Sequence, residues 1–309
     1  QANAMNLKHR KSVLLGTSAL VCLALATPVM AADFTITSGS TTNDGNTINT
    51  GDTVTVTGAL TTTGTARGID SSGGTNTVIV SETGNITAGG DGIEADDGNT
   101  VIINGNVTSA TDDGVDLTAN NTITVGSSGS IAANNDGIDA KNGNKVVING
   151  NVTSTTDDGV DLISNNTITV GSSGSITAKD NGIEAENGNT VNIFGTVVAE
   201  DDHGIDLGSD DSSTSGGNVV VIHAGAVVRG DPAVQFDNGG NTLTVLGLLD
   251  GGFEAVGQNN EITISSSGRI TTTGNYRDGI QNDGDNNTTT VSGSITTGTG
   301  NNAEGIDNN

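Results

Sequence analysis

Cysteine is almost missing from this 309-residue chain: there is one, Cys22. Tryptophan is absent, and the aromatics amount to four Phe and one Tyr. Proline occurs twice, and basic side chains number 10 against 36 acidic ones. With so few large apolar residues, a compact core built on Leu and Phe is excluded. Collagen is excluded as well, because proline is scarce and glycine does not fall at every third position. A formal charge of −26 disfavours nucleic acid as a partner, since phosphate neutralisation needs grouped Lys and Arg. Low hydrophobicity and high charge read, by composition alone, as disorder. Periodicity overturns that reading.

The N-terminus reads as a targeting segment. Lys8, His9, Arg10 and Lys11 precede an apolar stretch from Val13 to Ala26, which ends in Thr27-Pro28-Val29-Met30-Ala31-Ala32. Basic start, apolar centre and small-residue exit are the parts of a secretory signal peptide. The stretch is shorter than the ~20 residues that span a bilayer, which disfavours a retained anchor. Residues 1–31 are therefore expected to be upstream residues plus leader, and 32–309 the mature fold. Removal of Lys8, Arg10 and Lys11 leaves 7 basic and 36 acidic side chains, a net −29, and no cysteine. An exported chain without disulfides draws its stability from elsewhere.

Repetition supplies it. Gly-aliphatic-acid recurs as Gly68-Ile69-Asp70, Gly92-Ile93-Glu94, Gly114-Val115-Asp116 and Gly137-Ile138-Asp139, then at Gly159, Gly182, Gly204 and Gly305. From Gly92 to Gly204 the steps are 22, 23, 22, 23 and 22 residues. A second signal is an Asn opening an alternating run, as in Asn121-Thr122-Ile123-Thr124-Val125, and a third is Gly-x-aliphatic, as in Gly129-x-Ile131. A fixed period of this size marks a solenoid. Each unit holds three short period-2 segments and none with helical spacing, so the fold class is all-β: a right-handed parallel β-helix of about eleven coils, three strands per coil.

Strand alternation assigns the faces. Ile93, Ala95, Val101, Ile103 and Val107 are expected inside, with Glu94, Thr100, Ile102 and Thr108 outside. The next coil repeats this with Val115, Leu117, Ile123, Val125 and Ile131. Asn at the first corner suits a left-handed backbone and can hydrogen-bond between coils. Gly at the second corner is expected to supply positive φ. Residues 92–136 and 137–181 are a tandem pair identical at 33 of 45 positions. Duplication in line lengthens a rod readily but seldom builds a catalytic site, and so favours a structural role.

A signal peptide followed by a cysteine-free, aromatic-poor chain of Asp-Gly-Ile-Asp and Asn-Thr-Ile-Thr-Val coils resembles the passenger region of Gram-negative autotransporters. The coils also look like those of polysaccharide lyases and phage tailspikes. The autotransporter resemblance implies export across the inner membrane, display by a C-terminal outer-membrane β-barrel, and contact with a host-cell, extracellular-matrix or glycan surface. No barrel strands follow the last coil here, which ends at Asn309 without a cap, so the domain is expected to be truncated at its C-terminal end. Nothing in the sequence specifies an oligomeric state.

One constellation could carry chemistry. Asp70, Glu94, Asp116, Asp139, Asp161, Glu184 and Asp206 share one outward position in consecutive coils. The preceding corner adds Asp91, Asp112, Asp113, Asp136, Asp157, Asp158, Asp201 and Asp202. Like charges ~5 Å apart repel by roughly 1 kcal/mol in water and ~3 kcal/mol at an effective dielectric of 20. Such a ladder invites Ca²⁺, which accepts several carboxylate oxygens in loose geometry. The expected ligands are Asp91, Glu94, Asp113, Asp116, Asp136, Asp139, Asp158, Asp161, Glu184, Asp202 and Asp206. The plainer alternative is a solvated acidic face that keeps the rod soluble and prevents side-to-side pairing.

His203, within Asp201-Asp202-His203-Gly204-Ile205-Asp206, raises a competing enzyme reading, because paired carboxylates with a nearby histidine serve glycosidic cleavage. It also simply occupies the corner position held by Asp91, Asp113 and Asp136, and no catalytic residue is assigned. His223 reads as incidental. The Thr-x-Thr runs resemble ice-binding solenoids, but Ile102, Val147 and Asn192 interrupt them, and strand propensity accounts for threonine. Asp210–Gly217 lengthens its coil and reads as a surface loop suited to a partner contact. The coil register between 207 and 278 is the least regular, around Phe236 and Phe253. The reading is an exported, surface-displayed or released structural and adhesive module. Its alternatives are a polysaccharide-active enzyme and a calcium-stabilised solenoid.

Overall fold

Alternation is realised in most strands. In Thr122–Val125, for example, Thr122 and Thr124 are half-buried while Ile123 and Val125 are fully buried. Strands of two to five residues are too short to stand alone, and each pairs in parallel with its counterparts one coil away. In the computed structural model, residues 12–14, 33–37, 40–42, 46–208, 216–273, 278–298 and 303–308 are described. Among them there is no helix.

Three parallel sheets result, and the chain winds through them as a right-handed parallel β-helix of about eleven turns. One coil runs Ile93–Ala95 in sheet C, Thr100–Ile103 in sheet A and Asn106–Ser109 in sheet B. Sheet A has 13 strands, ending at Thr288–Val291, and sheets B and C have 12 each. At ~4.8 Å per strand the stack is roughly 50 Å long. Ser12–Leu14, inside the segment read as a leader, pairs with Asp33–Ile36 at the start of sheet A. The rest of the leader, most of Asp210–Gly217, and Tyr276 lie outside the described residues.

The bore is one continuous cluster from Ile36 to Ile280, filled by Ile, Val, Leu and Ala, and it includes every inward residue expected for the two coils analysed above. Its two large aromatics, Phe236 and Phe253, are one coil apart, with ring centres 5.0 Å apart and planes at 89°. Edge-to-face packing fills the less regular section, where Val234 pairs with Phe253 and Phe236 with Ala255.

Asparagine seals the corner between sheets C and A. The backbone amide of Asn99 donates to Asn121 Oδ1 at 2.7 Å, Asn121 to Asn144 at 2.8 Å, and Asn144 to Asn166 at 2.7 Å. The ladder runs from Asn76 to Asn287. The left-handed residue is not the ladder Asn, as the sequence suggested, but the one before it: Gly98, Asn120, Gly143 and Asn165 have φ of 77°, 56°, 65° and 56°. Turning the chain one residue early lets the following Asn point inward and bond along the rod. The glycines of the second corner differ from expectation too. Gly129 does not have positive φ; a Cβ there would lie 2.1 Å from the Ile103 carbonyl oxygen. Close approach of coils, not turn geometry, requires it.

Candidate functional site

Sheet C carries the acidic ladder because the first residue of each strand is an inward aliphatic, so the second must point out. Asp70, Glu94, Asp116, Asp139, Asp161, Glu184 and Asp206 are successive Cα partners, and the next step is Gln235. Their surroundings are drier than a solvated face. Asp139 and Asp206 are buried, and Asp116 and Asp139 each have one carboxylate oxygen hidden from solvent without a hydrogen-bond partner.

The corner before the ladder is a second column. Asp113 donates its backbone amide to Asp91 Oδ1 at 3.3 Å, Asp136 to Asp113 at 3.0 Å, and Asp158 to Asp136 at 3.1 Å. Asn181 and His203 continue it at 2.8 and 3.2 Å. Each corner side chain thus caps the backbone of the next coil, a role that explains why Asp91, Asp113 and Asp158 are buried. Periodicity alone could not reveal it, since the direction of a corner side chain does not follow from strand alternation.

Cations are few and placed at the ladder's margins and centre. Arg67 occupies the corner position one coil before Asp91, binding Asp91 at 3.1 Å and also Glu94. Lys141 binds Asp139 at 2.5 Å, and Lys179 binds Asp201 at 2.7 Å. Burial dominates the carboxyl pKa values, and neighbouring carboxylates add to it. Asp113 is pushed up to about 6, Asp116 and Asp161 to about 7, and Asp136 to about 8. Burial likewise raises Asp158 and Glu184, which share a hydrogen bond.

Two groups of acids bring carboxylate oxygens within 4.8 Å of one another: Asp91, Asp112 and Asp113, and Asp136, Asp157 and Asp158. The second is the first displaced by the 45-residue duplication. Of the expected ligands, Asp91, Asp113, Asp136 and Asp158 therefore come together with Asp112 and Asp157. Glu94, Asp116, Asp139, Asp161, Glu184 and Asp206 instead form the adjacent ladder, outside these two groups, as is Asp202. Oxygen-only donors suit a hard divalent cation such as Ca²⁺.

At the far end, His203 lies between acids. Its Nε2 is 3.1 Å from Asp202 Oδ1; its Nδ1 is 3.1 Å from Asn181 Oδ1 and 3.7 Å from Asp206 Oδ2. Both ring nitrogens are thereby engaged with the corner and ladder side chains, and the His203 amide, capped by Asn181, ends the column. His223 stacks on Phe194, with ring centres 3.7 Å apart and planes at 9°. The sequence hid that pair because their coil is lengthened between Leu207 and Gly216, which places the two rings 29 residues apart in the chain. Comparison with protein-family models, with curated proteins and with solved structures finds no match to this chain.

Proposed function

We propose that this β-helix is a non-catalytic presentation rod of an autotransporter-like outer-membrane protein, exported and displayed on the cell surface or released from it. Corner loops and the acidic face would meet a host-cell, extracellular-matrix or glycan surface. The supporting observation is the unbroken stack of in-register coils, two of them duplicated together, in which even the histidine among the acids serves a corner. A rod lengthened by whole coils gains reach and repeated surface without any need for a unique site. Export is tested by adding protease to intact cells expressing the full gene. Cleavage of the rod on intact cells is expected; protection until lysis contradicts the reading. The polysaccharide-active alternative requires Asp202→Asn with His203→Ala to abolish cleavage of acidic polysaccharides by the parent.

A second reading has its own support in the two acid triads. Calcium bound there would relieve repulsion between neighbouring coils and stabilise the rod. Removal of Ca²⁺ with EDTA is then expected to lower the unfolding temperature by several degrees at low ionic strength. An unchanged temperature contradicts it.

A further inference from the structure

Charge is distributed unevenly around the rod. Sheet C presents an acid in every coil from Asp70 to Asp206. Sheet A presents two outward side chains per strand between Thr53 and Thr290, and these are Thr, Val, Ile or Asn with two exceptions, Lys145 and Glu261. The most exposed apolar side chains of this side, Val219 and Phe194, are each 40% accessible and lie on neighbouring coils. Val219 heads the strand Val219–Ile222, and Phe194 follows the strand Thr190–Ile193.

We propose that sheet A is the interface of an antiparallel homodimer, two rods face to face with their acidic sheets turned outward. The two exceptions fix the register. Lys145 lies two strands before the Thr190 strand, and Glu261 lies two strands after the Val219 strand. A two-fold axis passing between those two central strands, along the strand direction, sets Lys145 against Glu261 of the second copy, and does so twice. The same axis brings the Phe194–His223 stack and Val219 to the middle of the contact along the rod, at opposite ends of the two central strands. Parallel pairing would oppose Lys145 to Lys145 and Glu261 to Glu261. Eight strands, from Thr122–Val125 to Thr288–Val291, overlap in the antiparallel register. At ~4.8 Å per strand and ~13 Å of strand length, they cover about 500 Å² per copy. The total of about 1,000 Å² stands at the lower threshold of a specific interface and suits a weak, concentration-dependent dimer. With a formal charge of −26 on each chain, a face carrying one cation and one anion is where two copies can approach.

Sedimentation of the full chain over ~1–100 μM tests the proposal. A concentration-dependent dimer is expected. Val219→Asp, which places two acids in the middle of the contact, is expected to raise Kd at least ~10-fold. Lys145→Glu is expected to weaken the dimer, and Lys145→Glu combined with Glu261→Lys to restore it. Thermal unfolding of each variant shows that the rod itself is intact. A parent that stays monomeric at ~100 μM overturns the proposal. So does a monomeric chain that adsorbs through this face to ice or a crystalline polysaccharide. Failure of the charge exchange to restore the dimer overturns the antiparallel register.

Discussion

A buried asparagine in this rod serves two coils at once. Asn144 Oδ1 accepts the Asn121 amide at 2.8 Å, while its Nδ2 donates to the Thr118 carbonyl at 3.2 Å. Truncation strands a buried donor and weakens an acceptor. Asn144→Ala is therefore expected to cost about 2–4 kcal/mol in chemical denaturation. Thr153→Ala, an outward sheet B position, is expected to stay within ~0.5 kcal/mol. Equal effects at the two positions would contradict the ladder's role. Glycine matters at this scale through space as much as through φ. At Gly114 a Cβ would lie 2.2 Å from Ile131 Cγ2 and 2.6 Å from the Gly137 carbonyl oxygen, whereas at Gly64 nothing lies within 4 Å and only φ of +72° objects. Gly114→Ala is expected to destabilise by more than Gly64→Ala, whose cost is on the order of 1 kcal/mol. The reverse order would contradict close coil packing as the reason for Gly-aliphatic-acid.

At the scale of the strand and its corner, the sequence was most legible where period 2 governs. Ile123 and Val125 inside, with Thr122 and Thr124 outside, follow from alternation alone, and so does the acid column beginning at Asp70. Corners were less legible. Asn120 and Asn121 are chemically identical, yet one takes the left-handed turn and the other the ladder bond, a division set by the backbone path. The dryness of the acids was likewise hidden, because it depends on neighbouring coils. It has a pH consequence of unusual sign. A carboxyl with a raised folded pKa binds its proton more tightly in the folded than in the unfolded chain. Its stabilisation is complete below the unfolded value near 4 and is lost as pH rises through the folded value. With Asp113, Asp116, Asp161 and Asp136 raised to about 6, 7, 7 and 8, stability is expected to fall between about pH 4 and 8. Asp136→Asn, which retains an acceptor for the Asp158 amide as Asn181 does for His203, is expected to flatten that slope. Stability that rises across the same window would contradict the burial of these carboxyls.

For the whole molecule, no coil closes a core by itself, and the aliphatic cluster, the Asn ladder and the corner column all run along the axis. Such a solid lengthens or shortens by whole coils without a change of cross-section. Phe236 and Phe253 mark the section where this uniformity gives way to a thicker filling, and the duplicated pair at 92–181 marks where it is most complete. The presentation-rod reading depends on this modularity, since a catalytic fold would not survive loss of its central coils. The most direct test is excision of residues 92–136, which joins Asp91 to Gly137 and restores the same Asp-Gly-Ile-acid corner. Small-angle X-ray scattering at concentrations where the chain is monomeric gives its length. The expected result is a cooperatively folded rod shorter by ~10 Å with an unchanged cross-section. A chain that no longer folds, or that folds without shortening, would contradict the account.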